Sequence, residues 1–230
     1  MHVPDSLTFV LPTINEAGNV GSLIDSLRAE LADAEPAFLV IDGESSDDTR
    51  AEAEKAGASV IVDGKGYAAA LMLGMNQADT TWVMVMDADG SHKAEDAAKV
   101  WAAREDADLV VGSRMVKGGG SDGSAFRRGL SRIIASMFAW FARLPARDIS
   151  SGFRLYRREM FKDAQPAAEF FEVQPTLLAY AKINSARVKE IGIWYHQRGM
   201  GSSKNRVFKY GLAFLASLWK LRRQLKRSQR

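Results

Sequence analysis

Along the first half of the chain, short apolar runs alternate with longer segments in which apolar residues recur every three or four positions. The runs Leu7–Leu11, Phe38–Ile41, Val60–Val62, Trp82–Met86 and Leu109–Val111 have the length and the Val, Ile, Phe and Met content of buried strands. The segments between them, Glu16–Ala32, Asp47–Ala56, Tyr67–Ala78 and Ala94–Arg104, carry the helical period. Ser46 or Asp47 is placed to cap the second helix, and Gly57 follows its end. Strands that alternate with helices predict a mostly parallel sheet covered on both faces. After Val116 the rhythm breaks. A loop over Gly118–Ser124 is followed by a basic amphipathic segment, Arg127–Arg143, then a turn at Asp148–Arg154, a short helix near Pro175–Lys182, a strand near Arg187–Ile193 and a loop over Arg198–Lys204.

In a parallel sheet the ligand crevice lies beyond the carboxyl ends of the strands. Those ends read Pro12-Thr13-Ile14-Asn15-Glu16, Asp42-Gly43-Glu44-Ser45-Ser46-Asp47, Asp63-Gly64-Lys65-Gly66, Asp87-Ala88-Asp89-Gly90-Ser91-His92 and Gly112-Ser113-Arg114. Each predicted strand therefore delivers a polar or glycine cluster to one rim.

Composition narrows the chemistry. Of 230 residues, 47% are hydrophobic and 26% charged, which excludes a disordered or low-complexity chain. The absence of cysteine excludes thiol catalysis, disulfides and thiolate zinc sites, and three scattered histidines do not suggest a histidine-rich metal centre. The longest apolar stretches, Ile133–Ala142 and Gly211–Trp219, are shorter than the roughly 20 residues that span a bilayer. No secretory signal is visible at the start, so the expected location is cytoplasmic. Of the 31 Lys and Arg residues, ten lie in 191–230, where there is no Asp or Glu; residues 1–190 carry 21 basic against 28 acidic side chains. A basic tail on an acidic body points to an anionic partner, which on charge alone is a membrane surface, a phosphate or nucleic acid; no nucleic-acid partner is expected once the motifs below are taken in.

The sharpest chemical feature is Asp87 and Asp89. Two hard carboxylates after a buried strand suit Mg²⁺ or Mn²⁺, the remaining ligands coming from water and a diphosphate; the plain alternative is an ordinary turn. Asp42, at the second strand end, is placed to accept from a base or ribose hydroxyl, or to belong to the cap of the following helix. Lys65 between two glycines would reach a phosphate or simply face solvent. Arg114, Arg127, Arg128, Arg198 and Lys204 form a cationic set near glycine-rich loops, as in a phosphate cradle.

The order P-T-x-N-E, D-G-x-S-S-D-x-T, G-K-G, D-A-D-G-S-H, G-S-R, D-x-x-S-G-F-R and R-x-x-G-x-S-K, from residue 7 to about 204, resembles the inverting family 2 glycosyltransferases of the GT-A fold. Within them it is most similar to the dolichol-phosphate (polyprenol-phosphate) mannose synthase branch. The resemblance implies a Rossmann-like GT-A domain over 1–204 and a nucleotide-sugar donor, GDP-mannose first, bound through Mg²⁺ or Mn²⁺ on Asp87 and Asp89. It also implies a polyprenyl phosphate acceptor. Pro12, Asn15 and Glu16 would line the nucleotide, Asp42 its base and ribose, Lys65 and Ala88 the same donor site, and Arg114 the diphosphate. Arg127 or Arg128 with Ser131, and Arg198 with Ser203 and Lys204, would serve the acceptor phosphate and the leaving diphosphate. Asp89, Arg114, Arg198 and Lys204 are the expected catalytic residues. Asp148 joins them as a base if the acceptor is a hydroxyl, its alternative being an ion pair or cap that organises the Ser151–Arg154 turn. The chain departs from the family at Gly43, where a second acid is usual, at Ile14 in place of an aromatic, and at Ser91 in place of a glutamine. It also lacks the transmembrane helices that many relatives carry. UDP-glucose is the next donor candidate, with the same acceptor or a small phosphorylated one.

Residues 205–230 predict a basic amphipathic helix. Val207, Gly211, Phe214, Leu218, Leu221 and Leu225 share a face, with Lys220, Arg222, Arg223, Lys226 and Arg227 crowding its end. Such a helix would lie on the cytoplasmic face of a membrane, dock to a partner, or pack in a homodimer. Two rivals remain. V-M-V-M-D-A-D-G-S resembles the nucleophile loop of haloacid-dehalogenase-type phosphohydrolases, which normally follows a first strand, and a non-catalytic membrane adaptor would keep the fold without the chemistry.

Overall fold

A computed structural model of the chain describes residues 5–122, 139–140, 143–164, 166 and 173–196. The five expected strands form as β1 (Leu7–Thr13), β2 (Ala37–Asp42), β3 (Ser59–Val62), β4 (Trp82–Val85) and β5 (Leu109–Ser113). The helices between them are α1 (Val20–Glu30), α2 (Thr49–Lys55), α3 (Tyr67–Gln77) and α4 (Ala94–Ala102). After β5 come a two-residue strand β6 (Gly120–Ser121), β7 (Arg154–Arg157), the short α5 (Arg158–Phe161), α6 (Val173–Ile183), β8 (Val188–Gly192) and β9 (Trp194–Tyr195).

The main sheet has the order β3-β2-β1-β4-β7-β5-β8, with β7 antiparallel to both neighbours and every other pairing parallel. Alternation along each strand sends side chains to two cores. Leu7, Phe9, Leu11, Trp82 and Met84 face α1 and α4, where Val20, Ile24, Leu27 and Val100 close over them. Val10, Ile41, Val83, Val85 and Val111 face α3 and α6, against Leu71, Met75, Leu177 and Leu178. Helix α3 sits so close to β1 that a Cβ built on Gly74 would stand 2.3 Å from a Val10 methyl. Only glycine fits that crossing.

Strand β7 was not expected; the sequence suggested a turn through Arg154. Its four residues, Arg-Leu-Tyr-Arg, carry no apolar run because both ends are arginine. The sheet accommodates them locally. Arg154, fully buried, donates to the carbonyls of Gln174 (2.7 Å) and Ile149 (3.0 Å), and Arg157 stacks 4.5 Å over the Trp82 ring.

The strand order reverses at β1. The chain winds outward through β2 and β3, then returns to place β4 on the other side. The crevice beyond the carboxyl ends of β1 and β4 is the topological switch point where such sheets take ligands.

Candidate active site

The loops after β1 and β2 are laced together. Asn15, in the left-handed region (φ 55°), donates its N–H to Ser45 Oγ (2.9 Å) and accepts from the Ser46 N–H at Oδ1 (2.9 Å). Glu16 N–H reaches Thr49 Oγ1 (2.8 Å), and Gly18 N–H reaches Glu52 Oε2 (2.7 Å). Asp42 is fully buried beneath this lacing, accepting from the Ser45 N–H (2.9 Å) and hydroxyl. Its carboxylate is thus turned into its own loop. The helix cap also differs from expectation: Asp48 takes the cap position without a side-chain bond, while Asp47 accepts from the Thr49 N–H (3.1 Å) and hydroxyl. Pro12 stays in β1, paired beside Ile41. Farther out, Lys65 is largely solvent-exposed, 4.0 Å from Asp63. Glu44 (φ 64°) rests its carboxylate on Gly64, and Ile14, 60% exposed, lies beside Gly43.

At the end of β4, Asp87 is half-buried and Asp89 buried, with Ala88 turned back into the core. Gly90 (φ 76°) bends the chain so that Asp89 Oδ1 accepts the Ser91 N–H at 3.0 Å. The Ser91 hydroxyl is buried with no hydrogen-bond partner among the described residues. Two carboxylates and an unfilled oxygen in one turn fit a hydrated Mg²⁺ or Mn²⁺; no third His, Asp or Glu joins them among the described residues, so water and phosphate oxygens would complete the shell. His92 lies behind this turn, its ring 4.9 Å from Phe153 and 5.4 Å from Tyr195. Burial pushes its pKa down to about 4, against the attraction of Asp89, so the imidazole is neutral. Tyr67, first residue of α3, brings its hydroxyl to the same corner. Burial and then the Asp87 charge hold it well above the usual tyrosine range, hence protonated.

At the end of β5, Arg114 is clamped. Its Nε and Nη2 donate to the two oxygens of Asp148, both at 2.8 Å, its backbone N–H donates to the same carboxylate, and Nη2 also reaches Ser150 Oγ at 2.8 Å. Asp148 is fully buried and anchored from behind, its N–H donating to Glu190 Oε1 (3.0 Å). Burial pushes the carboxyl up, but the hydrogen bonds and charge of Arg114 together prevail and hold it below the usual range. An acid held in that way is a poor proton acceptor. Of the two expectations for Asp148 the geometry matches the ion pair, although the pair orients Arg114 rather than the Ser151–Arg154 turn.

The structure thus brings Asn15, Glu16 and Asp42 together at one end of the rim, and Asp87, Asp89, Arg114 and Asp148 at the other. Lys65 stands apart at the sheet edge. Arg127, Arg128, Ser131, Arg198, Ser203, Lys204 and the 205–230 helix lie outside the described residues. Beside the rim β6 pairs with β9, Trp194 Nε1 donates to Asp122 (2.8 Å), and His196 N–H donates to the Ser91 carbonyl (2.9 Å). Sequence reasoning missed Tyr67, Gln174, Ser150 and Glu190; the contacts Arg114–Ser150, Asp148–Glu190 and Tyr67–Gln174 join residues 36, 42 and 107 positions apart.

The sequence model of the family described as Glycosyl transferase family 2 matches residues 8–164, more than half of the chain. The chain belongs to glycosyl transferase family 2. Among its relatives, glycosyltransferase AglJ of Haloferax volcanii is 32% identical over 209 residues, covering 89% of this chain and 68% of the relative. An undecaprenyl-phosphate mannosyltransferase of Micrococcus luteus is 31% identical over 220 residues, with 85% of each chain covered. Among solved structures, glucosyl-3-phosphoglycerate synthase of Mycobacterium tuberculosis, in complex with Mn²⁺, UDP and glucosyl-3-phosphoglycerate, superposes with a TM-score of 0.73 at 19% identity. That likeness covers 95% of this chain and 80% of the other, and it shows the GT-A fold for this family 2 glycosyltransferase.

Proposed function

We propose that this glycosyltransferase moves a hexose, mannose from GDP-mannose first, onto a polyprenyl phosphate with inversion at the anomeric carbon. The observation that carries the reading is the pairing of two charges across one crevice: the Asp87–Asp89 carboxylates at the end of β4, and a guanidinium fixed by Asp148 and Ser150 at the end of β5. The Micrococcus luteus relative, named for mannosyl transfer to undecaprenyl phosphate, supports the choice of sugar and acceptor.

Asp87 and Asp89 would hold a divalent cation, which would supply positive charge to offset that of the donor diphosphate. Arg114 does the same from the opposite side, and because its partners already hold it in place, little reorganisation is needed as charge grows on the leaving group. A phosphate acceptor arrives as an anion, so no side chain must remove a proton, in keeping with an Asp148 already saturated by Arg114. Arg127 or Arg128 with Ser131, and Arg198 with Ser203 and Lys204, hold the acceptor phosphate in this proposal. The 205–230 helix brings the protein to the cytoplasmic membrane face; no helix among the described residues is long and apolar enough to cross a membrane.

One observation favours a second donor. Gly43 leaves the base corner beside exposed Ile14 without the second acid usual there, which keeps UDP-glucose in play. The test is transfer from GDP-[¹⁴C]mannose and UDP-[¹⁴C]glucose to undecaprenyl phosphate with and without Mn²⁺. Metal-dependent, solvent-extractable label from either donor supports the activity and names the sugar. Label in neither lipid product overturns it.

A further inference from the structure

The Tyr67 hydroxyl has no part in the mechanism above, yet its surroundings fix which way its proton points. Gln174, fully buried, lies between two tyrosines. Its Oε1 sits 3.3 Å from Tyr156 Oη, and its Nε2 sits 3.1 Å from Tyr67 Oη. An amide oxygen only accepts and an amide nitrogen only donates, so Tyr156 donates to Gln174 and Gln174 donates to Tyr67. Tyr67 is the acceptor in this chain, and its own proton goes to another group. Asp87 is the anionic neighbour whose charge acts on this hydroxyl. Both groups flank Gly152: a Cβ built there would stand 2.8 Å from Tyr67 Oη and 3.6 and 3.8 Å from the Asp87 carboxylate oxygens.

We propose that Tyr67 is a positioning residue for Asp87, its hydroxyl, oriented by the Gln174 amide, turning to the carboxylate and holding it in the attitude that faces the metal, with Gly152 leaving the space between them. A ligating carboxylate with one oxygen turned toward a donor presents the other to the cation in a single geometry, and loss of such an outer partner typically costs about 10–100-fold in metal affinity. The arrangement is assembled from α3, β7, α6 and the turn before β7, elements that share the core on that face of the sheet. The inference rests on the donor-site reading of Asp87 and Asp89.

The experiment is an electron paramagnetic resonance titration of free Mn²⁺ with the full chain, in the presence of GDP and of UDP in turn, alongside melting curves recorded without metal. Tyr67→Phe removes only the hydroxyl, and Gly152→Ala wedges a methyl against it. Both are expected to weaken Mn²⁺ binding about tenfold, while Tyr156→Phe, which takes a buried hydroxyl from the same network, shifts it by about twofold or less. Gly152→Ala carries the test if Tyr67→Phe does not fold. Wild-type affinity in both Tyr67→Phe and Gly152→Ala, or equal weakening in Tyr67→Phe and Tyr156→Phe, overturns the proposal and leaves the donor site standing. A wild-type protein that binds no Mn²⁺ with either nucleotide, and is indistinguishable from Asp89→Ala, overturns the donor site and this proposal with it.

Discussion

The β1–β2 end of the rim and the β4–β5 end hold their functional side chains by different means. At the first, hydrogen bonds from backbone N–H groups and hydroxyls do the work: Asn15 with Ser45 and Ser46, Glu16 N–H with Thr49, and Asp42 locked beneath Ser45. At the second, full charges face one another across buried ground, with Arg114 on Asp148, Asp89 in its turn and a neutral His92 behind. Under the proposed function the difference separates two tasks. A surface that must fit a flat base and a ribose needs shape, which many weak bonds set cheaply and redundantly. A surface that must stabilise a changing phosphate charge needs oriented charges, and these are stable only while each keeps its partner.

That contrast is best broken at its charged end. The largest effect is expected for Asp89→Ala: metal-dependent donor binding is lost and turnover falls about 10³-fold, since a cation beside the diphosphate contributes several kcal/mol. Calorimetry with GDP-mannose and UDP-glucose, with and without Mn²⁺, checks this; unchanged affinity in both would separate Asp89 from the metal. Next comes Arg114→Met, which leaves a fully buried Asp148 without its guanidinium. It should destabilise the protein by about 3–5 kcal/mol in urea and lower turnover about 10²–10³-fold. A loss no greater than that of an ordinary surface substitution would remove the argument for a charge clamp.

The third prediction concerns pH. His92 is depressed from 6.5 to about 4 in the folded protein by burial, while Asp89, Asp96 and Asp148 act to raise it and Arg114 to lower it. The unfolded chain therefore binds the extra proton first as pH falls, so stability is lost between pH 6.5 and 4, by about 3 kcal/mol in total. Urea midpoints measured across that window should slope downward toward acid in the wild type and less so in His92→Gln. Parallel slopes would mean that the imidazole is not shielded. The smallest effect is assigned to the laced end, where Asn15→Ala removes one acceptor and should cost about 1–2 kcal/mol with a modest rise in KM for the donor. A penalty rivaling that of Arg114→Met would erase the distinction between the two ends.

Much of this was legible in the sequence, and the reason is visible in particular elements. Strands β1, β2 and β4 are covered on both faces, so they read as unbroken apolar runs, and the polar residues after them had to fall on one edge. That logic placed Asp87, Asp89 and Arg114 on the rim, and they follow β4 and β5 in the structure. Strand β7 was not legible in that way, because its arginines are accommodated by carbonyls and an indole that no local pattern reveals. Asp148 was recognised as chemically important, but its choice of Arg114, 34 positions earlier, is decided only when β5 and the turn before β7 come together. Tyr67 and Gln174 stand 107 positions apart and each is unremarkable alone.

Strand β7 also sets a span. Neighbouring strands lie about 4.8 Å apart, so one strand inserted between β4 and β5 holds their ends roughly 10 Å from each other. Had β4 and β5 been direct neighbours, Asp87 and Arg114 would stand at ion-pair distance and quench one another. With β7 as a spacer the acids and the guanidinium face one another across a gap that, under the proposed function, a bridging anion fills. A strand that supplies no expected catalytic group thereby works as the gauge of the crevice, and shortening or loosening it would close the site onto itself without altering any residue that touches the sugar.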